Sequence, residues 1–180
     1  MPYLVAFLRA INVGGRSAKK KKLAEAFRAA GFGSVSTFKQ SGNVVFEASS
    51  TNQKTIQECL KEKLGQVLGF DIVVFVRTFD QLRELVALDP FMGMEAPEAD
   101  FQVTFLAEAF DSFPLKLPLR IPNSTADVAS ARGTEVFSIT RGHGDGGKPN
   151  PFLEKALKSK ATTRNWNLVK EIAKKEPELK

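Results

Sequence analysis

The sequence is poor in the residues that build disulfides, metal centres and catalytic histidine sites. It contains one cysteine, Cys59, and one histidine, His143. A single cysteine cannot form an internal disulfide, and its rarity fits a reducing compartment. A zinc site needs three or four protein ligands, which one histidine beside Asp145 does not supply. We therefore expect a cytoplasmic protein without a metal site.

Long hydrophobic runs are also missing. The purely apolar stretches Leu4–Leu8 and Ile72–Val76 have five residues each, whereas a membrane-spanning helix needs roughly 20. The N-terminus does not combine the basic, apolar and small-residue regions of a signal peptide. These absences predict a protein with no membrane partner.

Charge is present in quantity and is unevenly distributed. The chain has a net charge of +6, made of +7 in residues 1–40, −6 in residues 41–140 and +5 in residues 141–180. Basic ends that meet in space would attract polyanions through a long-range field and counterion release. The alternative is that the lysines only solvate helix surfaces.

The first 80 residues alternate between strand and helix patterns. Apolar residues recur at spacings of three and four in two segments, and Gly31 and Gly69 follow their ends. Both faces of the first strand are apolar, which requires cover on both sides. We expect helices of the same unit on one face, and a second unit or the partner of a homodimer on the other. The predicted order is β (Tyr3–Ile11), α (Lys20–Ala30), β (Val35–Lys39), β (Asn43–Ala48), α (Thr55–Leu68) and β (Asp71–Thr78), the ferredoxin-like unit.

The second half repeats parts of the first. Val5-x-Phe7-Leu8 is echoed by Val103-x-Phe105-Leu106, and Gly42-x-x-Val45-Phe46 by Gly133-x-x-Val136-Phe137. We interpret this as a degenerate internal duplication whose first helix is replaced by the proline-broken segment Asp111–Pro122. The fold class predicted is α+β, with two tandem ferredoxin-like units and an extra C-terminal helix. The predicted segments are a first unit (1–79), a linking helix and loop (80–100), and a second unit (101–180) containing a helix at Pro151–Lys160, a short segment at Ala161–Arg164 and a last helix at Trp166–Lys175.

Two glycine-containing loops are predicted to meet at one end of the first sheet. In a ferredoxin-like sheet the end of the first strand lies beside the hairpin between the second and third strands. Backbone N–H groups at a helix N-terminus favour anions. Alternatively, the glycines only supply positive φ where the strand turns into the helix, and neither a nucleotide P-loop nor G-x-G-x-x-G is present. The candidate ligand-binding residues here are Arg9, Asn12, Gly14, Gly15, Gln40, Ser41 and Asn43.

Four consecutive lysines, Lys19–Lys22, precede and begin the first helix. Cations at a helix N-terminus oppose the helix macrodipole. A bound polyanion would relieve this unfavourable arrangement.

The segment Thr162–Asn167 carries three further candidates. Arg164 offers a permanent planar cation for phosphate or carboxylate, and Trp166 offers a stacking surface for a base or sugar. Asn165 completes this candidate group. The alternative is that Asn165 or Asn167 caps the last helix while Trp166 and Leu168 fill a core.

Three separated segments, Leu8–Gly15, Gln40–Phe46 and Thr162–Asn167, together resemble domain-of-unknown-function family 1697. The resemblance runs over nearly the whole chain, although Ala10 stands where the family usually has glycine. It implies a bacterial-type soluble α+β protein with tandem ferredoxin-like units. It implies no activity.

The function predicted from these observations is binding of an anionic ligand, such as a nucleotide, a phosphorylated metabolite or a nucleic acid, through basic, glycine-containing loops. No catalytic residue and no cofactor site is identifiable, which favours a binding protein over an enzyme. Two alternatives stay open. One is a small enzyme acting on an anionic substrate, and the other is a protein-interaction or homo-oligomerising module.

Overall fold

The α+β class is confirmed by a computed structural model, which describes residues 1–9, 11, 18–39, 42–95, 98–142 and 148–175. The helices and two antiparallel sheets of these residues follow most of the boundaries predicted from periodicity. The elements are β1 (Tyr3–Arg9), α1 (Lys20–Ala29), β2 (Gly33–Thr37), β3 (Asn43–Glu47), α2 (Gln53–Leu68), β4 (Val73–Thr78), α3 (Phe79–Ala87), β5 (Ala99–Leu106), β6 (Leu119–Arg120), β7 (Ala126–Arg132), β8 (Glu135–Arg141), α4 (Asn150–Leu157), β9 (Ala161–Asn165) and α5 (Trp166–Ala173).

The chain forms two compact units. The first comprises Met1–Leu82 together with Lys175, and the second comprises Arg83–Lys174. Their boundary falls inside α3. The finer segmentation at residues 79 and 100 stays a prediction.

The sheet of the first unit has the strand order β2-β3-β1-β4, with β1 antiparallel to both neighbours. Alternate residues of a strand point to opposite faces. On one face Leu4, Ala6 and Leu8 join the buried core formed with α1 and α2. On the other face Val5 and Phe7 are fully buried as well. The predicted burial of both faces of this strand is confirmed.

Polar side chains fix the helix ends in this unit. Asn52 accepts a hydrogen bond from the Thr55 N–H at 3.2 Å and so caps α2, which ends at Gly69 in the left-handed conformation. At the start of α3, Thr78 Oγ1 accepts from the Gln81 N–H at 3.1 Å. The Gln81 side chain in turn accepts from the Thr78 N–H at 3.0 Å. This reciprocal pair is a capping box.

The sheet of the second unit has the order β6-β7-β8-β5-β9. Leu153 and Leu157 of α4 belong to the buried core on one face of this sheet, together with Leu106 and Val136. The segment predicted as a proline-broken connection contains a cis Leu117–Pro118 peptide bond and the short strand β6. The segment beginning at Ala161 is the strand β9, paired with β5.

Strand register clarifies the two sequence echoes. The Leu8 N–H donates to Gly42 O at 2.8 Å, and the Leu106 N–H donates to Thr134 O at 2.7 Å. Leu8 and Leu106 therefore occupy equivalent positions, in agreement with the first echo. The second echo is offset by one residue, because Gly42 corresponds to Thr134 and not to Gly133. The tandem ferredoxin-like description stays a prediction, since β6 and the irregular segment before it have no counterpart among the described residues of the first unit.

Candidate anion-binding edge of the first unit

The end of β1 lies beside the β2–β3 hairpin, as the topology predicted. Leu8 bonds to Gly42, and Phe7 lies opposite Asn43 in the ladder. Arg9 is two residues beyond Phe7 and so lies on the same face as Asn43, in a diagonal position. The other candidates in these loops, Asn12, Gly14, Gly15, Gln40 and Ser41, lie outside the described residues.

Asn43 closes the hairpin. Its Nδ2 donates to Phe38 O at 3.3 Å, and its backbone carbonyl accepts from the Phe38 N–H at 2.8 Å. The residue is only 1% exposed. Asn43 therefore has a structural role in holding the shape of this loop.

The first helix begins at the same end of the sheet. Phe27, near the C-terminus of α1, contacts Phe46 with ring centroids 5.1 Å apart. Phe46 lies opposite Leu4, near the beginning of β1. Since the last turn of α1 lies at the beginning of β1, its first turn lies at the same end of the sheet as Arg9 and Asn43. It lies over the opposite face, because α1 covers the face of Leu4, Ala6 and Leu8.

The N-terminus of α1 is basic and lacks a side-chain cap among the described residues. Its N-cap residue, Lys19, has extended backbone geometry but makes no capping hydrogen bond, and the first turn contains no acidic residue. Lys19–Lys22 are all exposed. The first N–H groups of the helix and the positive end of its dipole therefore combine with four cations.

Further cations lie at this edge. Lys39 is exposed and follows Phe38, and the ammonium of Lys175 lies 5.2 Å from the centroid of the Phe38 ring. One acidic residue, Asp71, precedes β4 at the same edge, because Val73 lies opposite Arg9. We call this set the basic edge, comprising Arg9, Lys19–Lys22, Lys39 and Lys175.

Arg164 lies in the second unit, on β9. Its Nη1 donates to Thr162 Oγ1 at 2.8 Å and to Thr163 O at 2.9 Å. Desolvation by burial lowers the pKa of Arg164 to about 10. The guanidinium remains charged at neutral pH, and its Nη1 group donates within its own strand.

Asn165 and Trp166 take the alternative roles considered from the sequence. Asn165 Oδ1 accepts from the Asn167 N–H at 2.9 Å at the start of α5. Trp166 is 4% exposed, and its ring lies 5.7 Å from that of Phe91 and 6.1 Å from that of Phe137. This burial leaves no accessible ring face for stacking on a base, so the cap-and-core interpretation applies to this pair.

Sequence reasoning missed Arg77, which is 6% exposed on β4. Its Nη1 donates to Val76 O at 2.8 Å. Arg77 lies opposite Val5, and Arg164 lies opposite Val103, the equivalent valine of the second unit. The sequence did contain an indication of its role. Arg77 directly follows the apolar residues Val73–Val76, and a charged residue in a buried strand needs a specific partner.

Cys59 is half-buried on α2, with its Sγ 3.9 Å from Ala30 O. His143 lies outside the described residues.

The fold is thus that of an α+β protein with two antiparallel sheets and a basic edge on the first. The model of the family described as "Protein of unknown function (DUF1697)" matches residues 1–137, and the chain belongs to this family. Its fold is similar to that of a conserved bacterial protein from Streptococcus pneumoniae, with 17% sequence identity, 97% of each chain covered and a TM-score of 0.66. No curated protein matches the chain. Across the described ranges, every helix is too short or too polar to cross a membrane.

Proposed function

We propose that the first unit binds a polyanion at its basic edge. The observation that carries the proposal is the N-terminus of α1. Four exposed lysines surround this helix start, the first turn has no acidic residue, and no described residue provides a side-chain cap. Lysines at this end destabilise the isolated helix. Phosphate groups would satisfy the helix N–H groups and neutralise the lysines at the same time.

The arrangement favours an extended polyanion over a single phosphate. Successive residues of a helix point about 100° apart around its axis, so the four lysines spread their ammonium groups instead of converging on one point. Lysine is also a flexible point charge without the planar fork with which arginine grips one phosphate. A chain of phosphates, as in single-stranded nucleic acid, can meet several such cations in succession.

Binding of this kind has a defined salt dependence. For single strands, log K falls with log salt concentration with a slope of about −0.7 per phosphate contacted. Four lysine contacts at Lys19–Lys22 predict a slope of about −3. Little preference among base sequences is expected, because lysine–phosphate contacts carry no sequence information.

The experiment measures fluorescence anisotropy of a labelled single-stranded oligonucleotide over a series of salt concentrations. The test variant is Lys20→Gln/Lys21→Gln/Lys22→Gln. The matched control is Arg28→Gln/Lys54→Gln/Lys61→Gln, which removes the same charge from exposed positions of the first unit. Arg28 is in the last turn of α1 and Lys54 is in the first turn of α2, both at the opposite end of the sheet from the basic edge.

We expect the test variant to bind at least about tenfold more weakly at low salt, with the slope reduced to about −1, because three contacts are lost. The control should keep most of the affinity and the slope of the natural protein. Competition with ATP and with inorganic phosphate separates a polyanion site from a small-phosphate site. Equal weakening in both variants would show attraction by net charge alone and would contradict a site at the basic edge.

A further inference from the structure

The backbone groups on the outer edge of β4 can be assigned from the ladder. Antiparallel strands direct the N–H and C=O of alternate residues to opposite neighbours. Since Leu8 bonds to Gly42, the residue just before β3, the residues of β1 that bond to β4 include Val5 and Phe7. Arg77 lies opposite Val5 on β4, so its backbone groups face β1. The backbone groups of the adjacent residue, Val76, therefore point away from the sheet.

Side chains satisfy these outward groups. The Val76 N–H donates to Gln57 Oε1 of α2 at 2.8 Å, and Val76 O accepts from Arg77 Nη1 at 2.8 Å. Two residues on, the outward N–H of Thr78 donates to Gln81 Oε1 at 3.0 Å. A strand arriving at this edge would find its central donor and acceptor already occupied.

The last strand of the second sheet is closed in the same manner. Leu106 bonds to Thr134, the residue just before β8, so the same alternation directs the backbone groups of Thr163 and Ala161 outward. Thr163 O accepts from Arg164 Nη1 at 2.9 Å. The Ala161 N–H donates to Glu154 Oε1 of α4 at 2.9 Å.

We propose that Arg77 and Arg164 are edge-closing residues: they prevent β4 and β9 from pairing with a strand of a second copy of the chain. A helix side chain contributes in each unit, Gln57 in the first and Glu154 in the second. Exposed strand edges are templates for self-association, and inward-pointing charges on an edge strand are one means of blocking them. The support is that two separate sheets carry an arginine at the equivalent position, opposite Val5 and opposite Val103. Each arginine donates to the carbonyl that precedes it.

The test is sedimentation velocity of the full chain, comparing Gln57→Met/Arg77→Met with the natural protein over a wide range of concentration. Methionine matches the length of glutamine and the aliphatic stem of arginine, but it removes the polar groups of both side chains. The matched control is Arg28→Met/Gln66→Met, which makes the same replacements at exposed positions of the helices α1 and α2. We expect a concentration-dependent rise in mean mass for the test variant only. A test variant with natural circular dichroism and a natural mass distribution would overturn the proposal.

A second measurement applies if the double variant does not fold. Amide hydrogen exchange at Val76 is compared between the natural protein and Gln57→Met, in which Gln57 is only half-buried. Loss of one hydrogen bond corresponds to exchange about five- to thirtyfold faster. Unchanged exchange at Val76 would show that its outward N–H is not held by Gln57 and would refute the closed edge.

Discussion

Replacing Lys19 by aspartate should stabilise the protein. Lys19 is the N-cap of α1, and its backbone angles, φ −65° and ψ 142°, are those that a capping residue adopts. A carboxylate at this position can accept a hydrogen bond from the N–H of Lys21 or Lys22. The substitution also replaces an unfavourable charge at the positive end of the helix dipole by a favourable one.

The size of the effect follows from these two contributions. A good N-cap residue stabilises a helix by about 1 kcal/mol relative to a residue that cannot cap. Removing the lysine charge and adding a carboxylate each contribute about 0.3–1 kcal/mol at low ionic strength. The sum is about 2 kcal/mol, which corresponds to a rise in Tm of about 4–8 °C for a protein of this length.

The assay is thermal unfolding followed by circular dichroism at low and at high salt. Lys19→Asn separates the cap from the charge, and Lys19→Gln removes the charge without providing a cap. We expect stability to rise in the order lysine, glutamine, asparagine, aspartate, with only the charge contributions reduced by salt. If Lys19→Asp melts at or below the natural Tm, the N-terminus of α1 is already capped in the natural protein, and the reasoning is refuted. Because the same change removes a cation from the basic edge, polyanion affinity should fall while Tm rises.

Two further predictions concern the core and a helix end. Trp166→Ala should lower the free energy of unfolding by about 3–5 kcal/mol in a urea titration. Trp166→Phe should lower it much less. A loss below about 1 kcal/mol in the alanine variant would contradict burial of Trp166 against Phe91 and Phe137. Gly69→Ala should lower the free energy of unfolding by about 1–2 kcal/mol in the same assay, because the residue has φ +78°. An added Cβ would meet nothing within 4 Å, so this cost comes from the backbone conformation and not from a clash. Gly69→Asn should cost less, since asparagine tolerates this conformation, and equal costs for the two variants would argue against a backbone cause.

Much of the fold could be predicted because the helix and strand periods are clear in the sequence. The apolar positions of α1 at Leu23, Ala26 and Phe27 are the buried ones, and Gly31 follows the helix closely. The strand β9 was harder to predict. Its residues Ala161–Asn165 show no regular apolar alternation, and its conformation is fixed by pairing with β5, which is distant in the sequence.

The candidate site could be predicted only where topology alone decides the geometry. The approach of Arg9 and Asn43 follows from strand order, and the structure places them accordingly. The role of Trp166 depends on Phe91, which comes from a loop far away in the sequence, so its burial could not be deduced from its own segment. Arg77 was missed because its role depends on the tertiary structure. Closure of the β4 edge also needs Gln57 of α2, and its contact with the outward N–H of Val76 cannot be predicted from the sequence.

The equivalent strand pairing around Leu8 and Leu106 has a consequence for binding stoichiometry. Between β5 and β7 the chain forms no α-helix, so the second unit has no counterpart of the α1 N-terminus and its lysines. Opposite Phe105 it places Glu135, where the first unit has Asn43 opposite Phe7. A chain with two similar sheets should therefore saturate at one polyanion per molecule.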